Sequence, residues 1–285
     1  MRELRAEWLA RSDVGRIVAD LAHYADRAPL EECPALHAVL HDPGAARSLV
    51  DNLTGPLLAE SRQRPFSEAP FRFRLSPGFA PMRLLAHEGA VLSLVAYAPL
   101  AGAGEPASAI FADREVYDIV LAGSASGLFH RLGEGGMPDT RPMHWRAGDA
   151  LATAARCEAR QVCRVDRSLL LLRLTREPAR PGPTREVALG TGAVLRAASG
   201  DRAASEAVMA LCVLGALGDE AALGVMEQTA LEPSEDREVR WEAVRQTLGL
   251  SPERGLRLLG HLAACDADPL APHAAALHAR LVEAT

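Results

Sequence analysis

The 285-residue chain is predicted to be α+β, with N-terminal helices, a central antiparallel β-region and a C-terminal helical domain. Three observations predict this. Apolar residues recur at helical spacing through roughly the first 64 positions. Between about 65 and 178, short apolar runs are cut by Gly and Pro, with no helical stretch among them. After a Pro-rich segment at 176–183, helical spacing returns and holds to the end.

In the N-terminal segment, Ser12 and Asp13 can cap a helix whose Val14, Ile17, Val18, Leu21 and Tyr24 share one face. Pro29 and Pro34 interrupt it, and a second periodic run comes next with Leu49, Val50, Leu53, Leu57 and Leu58. These helices are expected to pack on the adjoining β-region, without a functional signal of their own. From about residue 65 the period changes. Phe71-Arg72-Phe73-Arg74-Leu75 alternates as a half-buried strand does. Strand-like runs occupy 82–87, 90–98, 115–121, 127–132, 150–154, 161–165 and 168–174, with a weaker one at 107–112. Strands this short and close predict a sandwich or barrel, not a parallel βαβ sheet. Pro178, Pro181, Gly182 and Pro183 mark a linker. Helices are then expected near 202–217, 219–231, 236–249, 251–264 and 268–283, with Ser251-Pro252 as one clear start. The expected domains are 1–64, 65–178 and 186–285.

All 31 basic residues are Arg, against 37 acidic ones, for a net charge of -6. The lack of Lys excludes Schiff-base and P-loop chemistry. With no basic stripe, a nucleic-acid partner is not expected. Because Arg stands in for every basic residue, its abundance alone is no evidence of phosphate binding. None of Cys33, Cys157, Cys163, Cys212 and Cys265 forms a CxxC, so they read as reduced thiols of a cytoplasmic protein. Met1–Arg5 is charged and lacks the apolar core of a signal peptide. No apolar run reaches membrane-span length, so no membrane partner is expected.

Two stretches of the β-region carry more than pattern. In Glu115-Val116-Tyr117-Asp118-Ile119-Val120-Leu121-Ala122-Gly123, an acidic residue precedes an apolar strand and a Gly turn. In Trp145-Arg146-Ala147-Gly148-Asp149-Ala150-Leu151, a Gly-Asp turn opens a strand. Together they resemble the cupin superfamily over residues 70–175, which implies a jelly-roll β-barrel. Metal-binding cupins carry His-x-His shortly before a Glu, ahead of the first-motif Gly, and a further His in the second motif. Here the first window is Ser108-Ala109-Ile110-Phe111-Ala112, and Val116 stands at the Glu position with Glu115 beside it. Ala159 stands at the last His position, between Glu158 and Arg160. No His lies between 88 and 129 or between 145 and 260. The resemblance therefore implies a cupin-like barrel without the three-His-one-Glu centre, and no metal or other cofactor is expected. Further along, Asp236-Arg237-Glu238-Val239-Arg240-Trp241-Glu242-Ala243 resembles the start of a HEAT-type repeat, with weaker echoes at Asp201 and at Asp266 or Asp268. That resemblance implies stacked helix pairs that bury their apolar faces against one another. An unrelated small helical bundle is the alternative.

The candidate ligand-binding residues, taken to line the barrel interior, are Glu115, Tyr117, Ile119, His130, His144 and Glu158. Alternation puts Tyr117, Ile119 and Leu121 on one strand face and Val116, Asp118 and Val120 on the other. One of these sets lines the cavity, which is expected to be mainly apolar. Glu115, His130 and His144 could form a displaced metal site, although no His-x-His or His-x3-His spacing supports one. Cys157 and Cys163 flank a turn with Arg156, Arg160 and Arg164 nearby, which would lower a thiol pKa; buried barrel thiols are the other reading. Gly123–Gly127 reads as a β-turn, and Gly133–Pro138 as a hairpin loop at the barrel mouth. Two functions fit. The first is a non-enzymatic binding or regulatory protein that holds a small apolar or amphipathic ligand. Its C-terminal helices would engage a protein or peptide, or a second copy in a homodimer. The second is a metal-dependent cupin oxygenase or isomerase with a displaced ligand set.

Overall fold

The computed structural model describes residues 1–66, 68, 70–99 and 106–283. Parts of the expected β-region and C-terminal segment lie outside the described residues. The chain divides into two compact units, Met1–Ala197 and Ala198–Thr285. Among the described residues, no helix is long and apolar enough to cross a membrane.

The first unit opens with four helices: α1 (Arg2–Leu9), α2 (Ser12–Ala25), α3 (Pro34–His41) and α4 (Pro43–Gln63). Helix α2 forms where the periodicity predicts it and buries Val14, Ile17, Leu21 and Tyr24. Neither Ser12 nor Asp13 caps it; Arg11 holds the cap position and pairs with Asp13 at 3.1 Å. Helix α4 starts at Pro43, where a missing N–H is harmless. Asp42 caps it by accepting the Gly44 N–H at 2.7 Å.

The β-region comprises β1 (Phe79–His87), β2 (Ala90–Tyr97), β3 (Ser108–Phe111), β4 (Glu115–Leu132), β5 (Pro138–Arg146), β6 (Ala150–Thr153), β7 (Glu158–Arg176), β8 (Thr184–Ala188) and β9 (Val194–Ala198). One sheet has the order β1-β2-β7-β4-β5, with β6 also paired to β4; the other has the order β3-β8-β9. The pairs β1–β2, β2–β7, β4–β5, β4–β6, β4–β7 and β3–β8 are antiparallel. In its pairing the expected barrel is two open sheets.

Several local expectations change. Runs 115–121 and 127–132 form a single strand, β4, and runs 161–165 and 168–174 form a single strand, β7. The two pair from Glu115↔Arg176 to Arg131↔Glu158, with register shifts at Val120/Ala122, Gly123/Ala125 and Ser126/Gly127. Such bulges bend a strand pair without ending it. Gly123 has φ +84, and a Cβ there would overlap the Ser168 carbonyl oxygen. The bend therefore requires glycine, and Gly123–Gly127 lies inside β4 and is not a β-turn. Strand β5 is not among the expected strand-like runs: it is polar and holds Pro138 and Pro142, which a sheet tolerates at its edge. Strands β8 and β9 occupy a stretch expected to begin the helical segment. Phe71–Leu75 makes only the isolated bridge Phe73↔Met82, which leaves Phe73 and Leu75 exposed.

Burial separates the two faces of the β4–β7 pair. Ile119, Leu121, Leu172 and Leu174 join Ile17, Leu21, Tyr24, Leu36, Leu49 and Leu53 of the helices in one core. The opposite face carries Val120, Ala125, Leu169 and Leu171, packed with Val95 and Trp145. A third cluster, Ala109, Phe111, Ala159 and Val187, joins β3 and β8 to β7.

The second unit holds α5 (Arg202–Leu217), α6 (Leu223–Leu231), α7 (Arg237–Leu250), α8 (Pro252–Ala263) and α9 (Ala271–Glu283). Helix α7 packs on α5, α6 and α8, and α8 packs on α9. Leu211, Met226, Val239, Ala243, Val244, Leu259 and Leu262 are central to its core. Asp201 caps α5, and Asp236 caps α7 through the N–H groups of Glu238 and Val239. Arg240 is buried; its Nε donates to the Ala230 carbonyl at 2.9 Å and its Nη2 to Asp268 at 2.5 Å, which joins three parts of the unit. Trp241 packs within this unit, edge-on to His273 with ring centroids 6.2 Å apart.

Candidate functional site

An open cavity of about 490 Å³ lies over the far half of the β4–β7 pair. Its lining includes Phe129, Arg131, Arg141, Met143, His144, Leu151, Glu158 and Arg160. The register explains this set. Phe129 stands opposite both Arg141 and Arg160, and Arg131 stands opposite Asp139 and Glu158. Directly opposed residues share a face, so β4, β5 and β7 each bring an arginine to the same surface.

The charges are unevenly matched. Arg131 Nη2 donates to Glu158 Oε1 at 2.5 Å, and Glu158 Oε2 accepts the Ala154 N–H at 2.9 Å. Burial pushes the Glu158 carboxyl up, but these bonds outweigh it and hold the group below the usual carboxylate range. Arg141 lies over the Phe129 ring, 4.5 Å from its centroid. Arg160 reaches deeper. Its Nη2 donates to the Ala152 carbonyl. Its Nη1 is 3.9 Å from Asp118 Oδ2, too long for a hydrogen bond. Nε and Nη1 are buried without a hydrogen-bond partner among the described residues.

Asp118, 2% exposed, is already engaged. Arg173 Nε and Nη2 grip its two oxygens at 2.7 and 2.9 Å, the bidentate geometry in which this pair is strongest. Burial opposes the Arg173 charge, yet Asp118 beside it holds the guanidinium above its ordinary pKa. Arg160 lacks such a partner, and burial lowers its pKa.

Two of the six sequence candidates, His144 and Glu158, line this cavity. Tyr117 and Ile119 instead pack toward the N-terminal helices. Alternate residues of a strand point to opposite faces, and the helices cover that one. The concave face carries Asp118 and Val120. Glu115 fastens helix to sheet: its Oε2 accepts from Tyr24 Oη at 2.9 Å and from Arg176 Nη2 at 2.7 Å. Arg176 Nη1 also donates to the Tyr24 and Ala28 carbonyls. The lining is not mainly apolar as expected: Arg131, Arg141, His144, Glu158 and Arg160 stand among Phe129, Pro142, Met143, Leu151 and Ala152. Cys157 is exposed, and burial pushes the Cys163 thiol up, the reverse of activation by neighbouring arginines. Phe129, Arg131, Arg141, Arg160, Asp118 and Arg173 are not among the residues that the sequence singles out as ligand-binding. The pattern Phe129-x-Arg131 with Glu158-x-Arg160 is the signal that could have found the cavity.

These residues do not fit the metal of the cupin family. Among the described residues, no three His, Cys, Asp or Glu side chains come together as a metal-holding group. In the window 108–112 Ala109 and Phe111 are buried apolar residues, as is Ala159 at the last His position, and Glu115, next to Val116 at the Glu position, is held by Tyr24 and Arg176. Glu115, His130 and His144 form no displaced site.

His130 is fully buried, with Nδ1 2.9 Å from Thr140 Oγ1 and Nε2 3.3 Å from Gln161 Oε1. Burial pushes its pKa below the ordinary value, partly offset by the Gln161 bond. The unfolded chain therefore takes up the proton first. The stability this group contributes is present above the unfolded pKa of about 6.5 and is lost as pH falls below it toward the lower folded value. The urea midpoint of the protein should fall between about pH 7 and pH 5.5, and His130→Gln should flatten that slope. An unchanged slope in the variant would assign the dependence to other groups.

No family model matches the chain, and no curated protein matches it in sequence. Solved structures similar to it include a candidate mannose-6-phosphate isomerase from Ralstonia eutropha JMP134, at 20% identity over 40% of this chain and 94% of that one, with TM-score 0.29. The 7S globulin of Momordica charantia is 14% identical over 41% of this chain and 35% of its own, with TM-score 0.30. A variant of Bacillus subtilis oxalate decarboxylase is 11% identical over 40% of this chain and 29% of its own, with TM-score 0.29. These neighbours are cupin-type proteins, and each likeness covers about two-fifths of the chain.

Proposed function

We propose that this chain is a non-enzymatic binding protein with a cupin-like β-region, whose concave cavity holds a small amphipathic molecule, and with a HEAT-like helical unit for self-association. The two-sided cavity lining carries the first part. Phe129, Met143 and Leu151 provide apolar contact, while Arg141, Arg160 and His144 provide polar anchors, a more polar lining than most small-molecule pockets have. Glu158 is neutralised by Arg131, and no Ser, Thr or Cys is among the described lining residues. The second part rests on α5, where Met209, Val213 and Leu217 are 62%, 57% and 74% exposed and fall on one helical face. Such a stripe can meet its own copy across a twofold axis.

The test has two arms on the full chain. Calorimetric titration with octanol and octanoate is expected to show saturable binding that survives chelator treatment and is abolished by Leu151→Trp, which fills the cavity. Binding that appears only after iron, manganese, nickel or zinc is added would favour the metalloenzyme reading. Light scattering is expected to give the mass of a dimer, and that of a monomer for Val213→Glu; a monomeric parent chain would refute the association.

A further inference from the structure

The concave face holds more positive charge than the fold neutralises. Arg131, Arg141, Arg160 and Arg173 stand on it with three carboxylates, of which Asp139 is exposed and stands opposite Arg131. Glu158 is bound by Arg131, and both oxygens of Asp118 are bound by Arg173. Arg141 and Arg160 remain. Arg141 is exposed, lies over Phe129 and makes no ion pair among the described residues. The Arg160 side chain is 11% exposed, and its Nε and Nη1 are buried with no acceptor among the described residues. Buried donors of a charged group rarely go without partners, because their lost hydration is not replaced. Among the described residues, Arg160 keeps one hydrogen bond, to the Ala152 carbonyl, and a loose 3.9 Å approach to an Asp118 already held by Arg173, so two of its donors beside the open cavity have no acceptor. Water could fill the hydrogen bonds but not balance the charge.

We infer that the cavity takes an oxyanion, a carboxylate or phosphate monoester at the head of a small amphipathic molecule, anchored by Arg160 and Arg141. The inference rests on the binding reading above and extends it to the headgroup. The two arginines are positioned together, since both stand opposite Phe129 in the strand register. The planar guanidinium fork matches carboxylate and phosphate oxygens. Phe129, Met143 and Leu151 would contact the apolar part of the molecule. Glu158 lines the same cavity, but the Ala154 N–H and Arg131 already compensate its charge.

Titration of the full chain with octanoate, octyl phosphate, inorganic phosphate and octanol tests this. At least one of the two tailed anions is expected to bind about tenfold or more tightly than octanol, and more weakly as salt is raised. Whichever of the two is tighter names the headgroup. Arg160→Met should weaken anion binding about tenfold while leaving octanol within about twofold. Arg141→Gln should act in the same direction, and as an exposed residue it keeps the test open if Arg160→Met fails to fold. If octanol binds as tightly as the tailed anions, the headgroup inference fails and the binding reading stands. If inorganic phosphate matches octyl phosphate, the amphipathic part fails. If none of the four binds, both readings fail.

Discussion

Asp118→Ala is expected to destabilise the first unit by about 3–5 kcal/mol, because it removes one partner of a buried ion pair and leaves the other. Arg173 would lose both of its short bonds to the carboxylate. Arg160 would lose the only carboxylate within 4 Å of its guanidinium among the described residues. Two cations would then share a dry face with nothing to oppose them. The double change Asp118→Leu with Arg173→Met should recover much of the loss, since a well-packed apolar pair often replaces a buried ion pair at little or no cost. Urea unfolding combined with hydrogen exchange of the β4 and β7 amides reads this unit separately from the helical one. A single variant within about 1 kcal/mol of the parent would show that the pair is solvated and the face not short of negative charge.

Gly123→Ala is expected to cost about 4 kcal/mol, near the upper end of single substitutions. Two effects act together. The left-handed backbone at φ +84 disfavours a side chain, by about 1–2 kcal/mol. The added methyl would also overlap the Ser168 carbonyl oxygen of β7, so β4 and β7 would have to separate where they bend. That bend lets Arg160, from the far half, approach Asp118, from the near half. The variant should therefore also loosen the cavity. Ser126→Ala, three residues on in the same strand, should stay within about 0.5 kcal/mol. Equal effects at the two positions would count against a specific role for the bend.

Local signals were legible where the physics is local. Helix α2 follows from apolar spacing, and Asp201 and Asp236 cap helices because a short acidic side chain satisfies free N–H groups. The Gly148-Asp149 turn is likewise local. Gly148 takes φ +97, and the Asp149 side chain accepts the Arg146 N–H at 2.7 Å. Asp13 is the counterexample: a good capping residue was drawn into an ion pair with Arg11.

The composition and spacing of the chain determined its order of helices, antiparallel strands and helices, and its lack of the usual cupin ligand pattern. The tertiary structure alone decided which face of β4 turns inward, that β4 and β7 run unbroken through their glycines and bulges, and that β5 is a strand. Alternation assigns residues to two faces but cannot say which one a helix will cover; here α2, α3 and α4 cover Ile119 and leave Asp118 on the concave side. The arginine-lined cavity depends on pairing between β4, β5 and β7, far apart in sequence. An exposed edge strand such as β5 needs no apolar alternation to form, so its sequence carries little record of that pairing.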